Sequence, residues 1–94
     1  MQVIYQGLKI SLPIDGIIQV EDFTLEASFN RHATVCILLL MEEEGIERRI
    51  QELEDGAGVE IYEGEALFKG RISLAEMIPI KGLYYLKITA VSYT

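Results

Sequence analysis

An uninterrupted apolar run from Val35 to Met41 constrains the fold of this chain more than any other feature. The run is too short to cross a bilayer, because a membrane-spanning helix needs about 20 apolar residues. Apolar side chains at both odd and even positions are typical of a β-strand that is covered on both faces. We expect a helix to cover one face, and the closing wall of a barrel or a neighbouring subunit to cover the other.

Two segments with strand-like patterns precede this run. From Ile4 to Leu12 apolar residues stand at even positions and would share one buried face: Ile4, Leu8, Ile10 and Leu12. Pro13 ends that pattern. From Ile17 to Asn30 the apolar positions change from even to odd numbers after Glu21-Asp22. Such a change moves side chains to the opposite face unless a backbone irregularity absorbs it. We therefore predict a bulge, a bend or a strand break at that point.

Three further strands are predicted in the second half of the chain. They cover Val59 to Tyr62, Ala66 to about Ile80, and Leu83 to Thr94, with turns at residues 63–65 and at Lys81-Gly82. In the second of them the apolar residues that alternate with polar ones, and so share the expected inner face, are Ala66, Phe68, Ile72 and Leu74. The alternation still runs at the last residue and no turn signal follows it. This favours a domain taken from a longer polypeptide, although a genuine terminus would leave the same pattern.

One segment, Gly45 to Glu54, has a helical pattern, with apolar residues at Ile46, Ile50 and Leu53. This stripe is narrow, so we expect the helix to lie on a surface. The order is three strands, one helix and three strands with short connections, which favours antiparallel pairing. The predicted fold class is mainly β (α+β): an antiparallel β-barrel or sandwich of about six strands, with one helix packed outside.

Composition excludes several classes of function. The 94 residues fit one domain, and 15 acidic against 8 basic residues give a net charge of −7. Nucleic-acid binding and adsorption to anionic membranes both need a basic surface, so neither is expected. The single cysteine, Cys36, cannot form an internal disulfide, and no signal segment opens the chain. We therefore expect synthesis in the cytoplasm.

No group of residues predicts chemistry. His32 has no second histidine or cysteine at ligand spacing and fits a turn, while the apolar neighbours of Cys36 predict an inert core thiol. The run Glu42 to Glu44 lacks the spacing of a calcium loop, and Gly56-Ala57-Gly58 follows a helix, where a phosphate loop would precede one. We predict no catalytic residue, no cofactor and no metal.

The apolar content of the strands exceeds what one small domain readily covers. Contact with another domain or subunit is the simplest explanation. The candidate interface residues are large and apolar or aromatic: Phe23, Phe29, Leu38, Leu40, Tyr62, Tyr85, Val91 and Tyr93.

Three segments of the second half carry a resemblance to a known family. They are Val59 to Gly64, Leu67 to Ile72, and Tyr84 to Thr94, with aromatic residues and glycines at set places in strands. Together they resemble the first domain of baseplate hub proteins of contractile injection systems. That family includes the late-control D-type proteins of tailed phages and the spike proteins of type VI secretion. In the family the chain continues past the serine-tyrosine pair, whereas this one ends at Thr94.

The resemblance implies a tail-tube-like domain, a β-barrel or sandwich flanked by a helix. It also implies tube and spike proteins as partners, a trimer or hexameric ring as the oligomer, and assembly into a virion or injection apparatus. Two other classes stay open on the residues alone. One is a small-molecule-binding β-barrel or split-barrel enzyme domain, which needs a pocket of convergent polar groups. The other is a regulatory adaptor that binds one protein partner.

Overall fold

The computed structural model describes residues 1–26, 33–53 and 57–93. Seven strands and one helix lie within these ranges. In chain order they are β1 (Gln2–Tyr5), β2 (Leu8–Ser11), β3 (Ile17–Glu26), β4 (Thr34–Met41), α1 (Ile46–Leu53), β5 (Gly58–Glu63), β6 (Glu65–Ile80) and β7 (Leu83–Ser92). The expected histidine turn at His32 and the candidate interface residue Phe29 lie outside the described residues.

The strands form one antiparallel sheet in the order β1-β2-β5-β6-β7-β4-β3. The sheet curls until its two end strands approach each other, with the rings of Tyr5 on β1 and Phe23 on β3 6.3 Å apart between centroids. No ladder joins β1 to β3 in the described part of the chain. The fold is therefore a nearly closed, barrel-like sheet, and the prediction of a mainly β barrel with one helix is confirmed.

The buried residues are all apolar or aromatic and form one core inside the curl. Matched positions of neighbouring strands supply them: Val35 of β4 lies opposite Ala90 of β7, and Ile37 lies opposite Ile88. Each of these four side chains is fully buried. Because side chains alternate along a strand, the intervening residues of β4 and β7 point to the outer face of the sheet.

Strand β3 contains the irregularity that the sequence predicts. Its register against β4 shifts between Val20 and Asp22, so the extra residue is Glu21. A second shift lies between Ile17 and Gln19. The bulge at Glu21 returns Phe23 to the inner face, where it packs against the core beside Val20.

The first predicted strand is a hairpin instead. Gln6 and Gly7 both have positive φ, 50° and 84°, which closes a two-residue turn between β1 and β2. The turn puts Val3 and Tyr5 on the inner face and leaves Ile4 71% exposed on the outer face. The expectation that Ile4 shares a buried face with Leu8 and Ile10 is therefore wrong.

The helix also differs from expectation. Ile46 and Leu53 are buried and belong to the core, while Ile50 is half-buried against it. The stripe predicted from the sequence is correct and the helix packs against the sheet. The expectation that it is only a surface element is wrong, because two of its side chains belong to the core.

Bulges in β6 correct the predicted inner face of that strand. Phe68 and Ile72 are buried as expected. Register shifts opposite Ile61 and beyond Ile72 turn Ala66 and Leu74 outward, and both are exposed. Ala66 and Leu74 are apolar, so the sequence pattern assigns them to the inner face. It therefore could not show the shifts that turn them outward.

Candidate interaction surface

The outer face of β3, β4, β7 and β6 carries side chains in rows that run across the four strands. One row is Leu40 of β4, Tyr85 of β7 and Ile78 of β6, which face each other in register. These three adjacent side chains form a continuous apolar strip that spans three strands, or roughly 10 Å between its outer strands. Among the described elements, α1 comes near this face at Leu74, where Leu53 lines the same cleft.

Charged and smaller residues continue the surface away from that strip. The next row is Leu38, Lys87 and Glu76, and the one after it is Cys36, Thr89 and Leu74. On β3 the same rows end in exposed Gln19, Asp22 and Thr24, so the strip has a polar border on that side. An apolar centre with a polar rim is the usual anatomy of a protein–protein interface.

We call the apolar part of this face the outer patch. It comprises Leu38, Leu40, Leu74, Ile78, Ile80, Leu83 and Tyr85. The residues on β4 are half-buried by their neighbours, whereas three others are the most open: Leu74 is 52% exposed, Ile80 49% and Leu83 48%. The open part of the patch therefore lies along β6 and the start of β7.

The structure brings four of the eight sequence-predicted interface residues onto this face. Leu38, Leu40 and Tyr85 belong to the outer patch, and Val91 lies on the same face, opposite Thr34. Phe23 lies on the inner face beside Tyr5 and does not join the patch. Tyr62 and Tyr93 lie elsewhere, near β5.

Sequence reasoning missed Leu74, Ile78, Ile80 and Leu83. The signal was present in the apolar residues on both sides of Lys81-Gly82, but they resembled the ordinary core of a hairpin. Leu74 was assigned to the inner face, and only the bulge beyond Ile72 turns it outward.

Cys36 corrects another expectation. It is half-buried on the outer face of β4, between Thr24 and Thr89, and not within the core. The apolar neighbours along the sequence point to the other face of the strand, so they do not enclose the thiol. The thiol therefore reports on the outer patch next to it.

A polar cluster surrounds Tyr62, which is half-buried on β5. The Tyr62 hydroxyl donates a hydrogen bond to Glu60 Oε1 at 2.6 Å, and Lys69 Nζ lies 3.8 Å from the same oxygen. That hydrogen bond is the main cause of a raised pKa of Tyr62, since the carboxylate accepts from the neutral phenol. The three side chains satisfy one another, so the cluster offers little to a ligand.

Arg49 joins the helix to the β2–β3 connection. Its Nε donates to Asp15 Oδ1 at 2.9 Å, and its Nη1 donates to the Glu44 carbonyl. The hydrogen bond and the charge of Arg49 hold the pKa of Asp15 below its usual value. The pair fixes one end of α1 and does not face the outer patch.

Features of other classes of site are few among residues 1–26, 33–53 and 57–93. No group of three histidine, cysteine or acidic side chains is placed to hold a metal ion. No buried side-chain nitrogen or oxygen there lacks a hydrogen-bond partner. Within the same residues, no helix has the length and apolarity needed to cross a membrane.

Comparison of the chain with protein-family models, with curated proteins and with solved structures found no match. The features that bear on function are therefore the outer patch, the fold and the pattern of the second half of the sequence.

Proposed function

We propose that this chain is a structural assembly domain, a hub or tube-like component of a phage tail or related contractile injection apparatus. In this role it works by binding neighbouring proteins and catalyses no reaction. Its neighbours are further copies of itself in a trimer or hexameric ring, and tube and spike proteins above and below that ring.

The outer patch is the observation that carries the proposal. An apolar strip of Leu40, Tyr85 and Ile78 in water is unfavourable, and covering it with a neighbour recovers roughly 25 cal/mol for each Å² of apolar surface removed from water. Aromatic residues such as Tyr85 are also enriched at the centres of interfaces. A barrel-like sheet with one short helix is also the architecture that the family resemblance implies.

Sedimentation velocity on the purified chain tests the proposal. The wild-type protein is expected to form a ring of three or six copies, since the patch then lies between subunits. The double variant Leu40→Thr and Tyr85→Thr makes the centre of the patch polar but keeps β-branched residues that suit a strand. It is expected to sediment as a folded monomer.

A matched variant on the opposite side of the molecule provides the control. Lys9→Thr changes an exposed residue of β2 on the outer face, far from β4 in the strand order, and should leave the ring intact. A wild-type protein that stays monomeric at all accessible concentrations would contradict the proposal. So would a monomer whose melting temperature rises with a small molecule, because that is the behaviour of a ligand-binding barrel.

A further inference from the structure

Strand β6 is much longer than one of its two neighbours. The strand has 16 residues, and those from Gly70 to Ile80 pair with β7. On its other side, β5 pairs with it only as far as Arg71. A backbone bond from Ile72 N to the Ala57 carbonyl marks the end of that cover. Beyond it, no strand of the described residues pairs with the second side of β6. Within the described residues, the segment from Leu74 to Ile80 therefore has no strand partner on this side, and we call it the open edge.

The hairpin turn fixes which backbone groups face this open edge. Lys81 and Gly82 have φ of 49° and 81°, so a two-residue turn joins Ile80 to Leu83. The pair that flanks such a turn exchanges backbone hydrogen bonds, and the bonded pairs then alternate. Ile80, Ile78 and Glu76 consequently bond to β7. Ala75, Met77 and Pro79 direct their backbone groups outward.

Five backbone groups of the open edge have no strand partner among residues 1–26, 33–53 and 57–93. They are the N–H groups of Ala75 and Met77 and the carbonyls of Ala75, Met77 and Pro79. Pro79 has no N–H. Because its backbone groups point away from β7, this missing donor removes no hydrogen bond between β6 and β7. An unpaired row of donors and acceptors is a template for an added strand.

A cleft lies where the open edge begins. It has a volume of about 210 Å³ and is lined by Leu53 of α1 and by residues 72–75 of β6. A strand laid along the edge would end beside this cleft and could place one apolar side chain in it. The end strands β1 and β3 differ, because the contact between Tyr5 and Phe23 covers part of each edge.

The charge of this region sets the chemistry of its partner. The hairpin from Leu74 to Lys87 carries Glu76, Lys81 and Lys87, for a net charge of +1, while the whole chain carries −7, so the rest carries −8. The excess negative charge of the chain therefore lies outside this hairpin, and Lys81 favours an acidic segment next to it. A second copy of this acidic chain lacks that advantage over most of its surface.

We propose that the open edge of β6 binds an extended acidic segment of a partner protein as an added strand. Apolar side chains of the segment contact Met77 and Ile78 on the two faces, and an acidic side chain lies near Lys81. This inference goes beyond the proposed function, because it concerns the strand edge and a different partner from those that cover the outer patch.

Hydrogen exchange with synthetic peptides tests the proposal. One peptide alternates valine with threonine and ends in glutamates, and its control has glutamines in their place. The acidic peptide is expected to slow exchange of the Ala75 and Met77 amides by about tenfold at saturation. Exchange of the Glu76 and Ile78 amides, which already bond to β7, should change little.

Two variants separate the edge from its charge. Met77→Pro removes one outward donor and blocks the edge, but keeps the bonds to β7, and should abolish binding of both peptides. Lys81→Asn removes the charge and keeps a residue that tolerates positive φ. It should weaken the acidic peptide by about twofold to fivefold and leave the control peptide unchanged. Lys81→Asn keeps the test decisive if Met77→Pro fails to fold.

Three results would overturn the proposal. They are failure of both peptides to protect Ala75 and Met77, equal binding by folded Met77→Pro, and protection that rises with protein concentration alone, which would assign the edge to a second copy. Equal affinity of the two peptides would overturn the acidic character of the partner. The Leu40→Thr and Tyr85→Thr variant should still bind the acidic peptide, so failure of the proposed ring is distinguishable from failure of this inference.

Discussion

At the scale of single residues, close approaches between strands limit which side chains the barrel accepts. Gly70 of β6 is buried where that strand meets β7, and an added Cβ would overlap the carbonyl oxygen of Val91. The Phe68 ring lies 2.7 Å from the same position. The sequence motif around Gly70 was recognised from its pattern, and the structure supplies a packing reason for the glycine.

Gly70→Ala is therefore expected to destabilise the fold by about 2 kcal/mol, because the backbone of β7 must move to admit the methyl group. Urea denaturation followed by circular dichroism measures this loss. Gly58→Ala is the control: its added Cβ would meet the Tyr93 hydroxyl at 3.6 Å, an ordinary contact. Equal losses in the two variants would contradict the close approach at Gly70.

The Arg49 and Asp15 pair predicts a pH-dependent contribution to stability. The pKa of Asp15 is lowered in the folded state, mainly by its hydrogen bond with Arg49. The stabilisation is therefore present above the unfolded pKa of an aspartate, about 3.9, and disappears as pH falls through the lower folded value.

Arg49→Gln should consequently lower the urea midpoint at pH 7, and the gap from wild type should narrow as the pH falls toward 2. Arg71→Gln, which removes an exposed arginine of β6, serves as the control and should show no such narrowing. A gap for Arg49→Gln that stays constant from pH 7 to the acid limit would show that Asp15 does not take part.

At the scale of elements, strand β4 shows how far the sequence pattern leads. The apolar run predicted a strand covered on both faces. The structure buries Val35, Ile37, Leu39 and Met41 on the inner face and leaves Leu38 and Leu40 half-buried on the outer one. The core of the chain therefore accounts for the apolar residues on the inner face of β4. A neighbouring protein is expected to cover those on the outer face.

Alanine substitution at adjacent positions of β4 measures this difference. Leu39→Ala removes a fully buried side chain and should cost about 3 kcal/mol of unfolding free energy. Leu38→Ala removes a half-buried outer side chain and should cost about 1 kcal/mol in the dilute monomer. Equal costs at the two positions would mean that both faces of β4 are closed within one chain.

Turns were predicted where turn residues separate two clear patterns, as at Lys81-Gly82 and residues 63–65. The turn at Gln6-Gly7 was missed because the even positions on both sides of it are apolar, although the polar Gln6 interrupts that series. The apolar pair Val3 and Tyr5 at odd positions carried the contrary signal. Bulges in β6 were missed for a related reason. Apolar residues lie on both faces of this strand, so the alternation of apolar and polar residues does not show where the faces change. Cross-strand register, which creates the outer patch, depends on pairs distant in sequence.

The Gln6-Gly7 turn predicts a stabilising substitution. Gln6 has φ of 50°, a conformation that asparagine adopts more readily than glutamine. Gln6→Asn should therefore raise the free energy of unfolding by about 0.5 kcal/mol in urea denaturation. Gln2→Asn, at an exposed position within β1, is the control and should give no gain. A loss of stability for Gln6→Asn would contradict the assigned turn.

At the scale of the whole molecule, an exposed apolar face and an unpaired strand edge meet at the β6–β7 hairpin. Its outer face continues the outer patch, and its free edge offers backbone groups to a further strand. In a barrel-like sheet most strands are paired on both sides, so an unpaired edge and an exposed apolar face are both unusual. Both features fit a subunit that binds neighbouring proteins. The acidic remainder of the chain is expected to repel other copies, which would leave the hairpin region as the favoured place of contact.

The alkylation rate of Cys36 tests most directly whether a neighbour covers the outer patch. The thiol lies on the outer face of β4, one row beyond Leu38, and it is the single cysteine of the chain. Alkylation by a maleimide should slow by about tenfold or more when wild-type protein is concentrated enough to assemble, and should not slow in the Leu40→Thr and Tyr85→Thr variant. A Cys36 rate that is the same in dilute and concentrated wild-type protein would contradict the account.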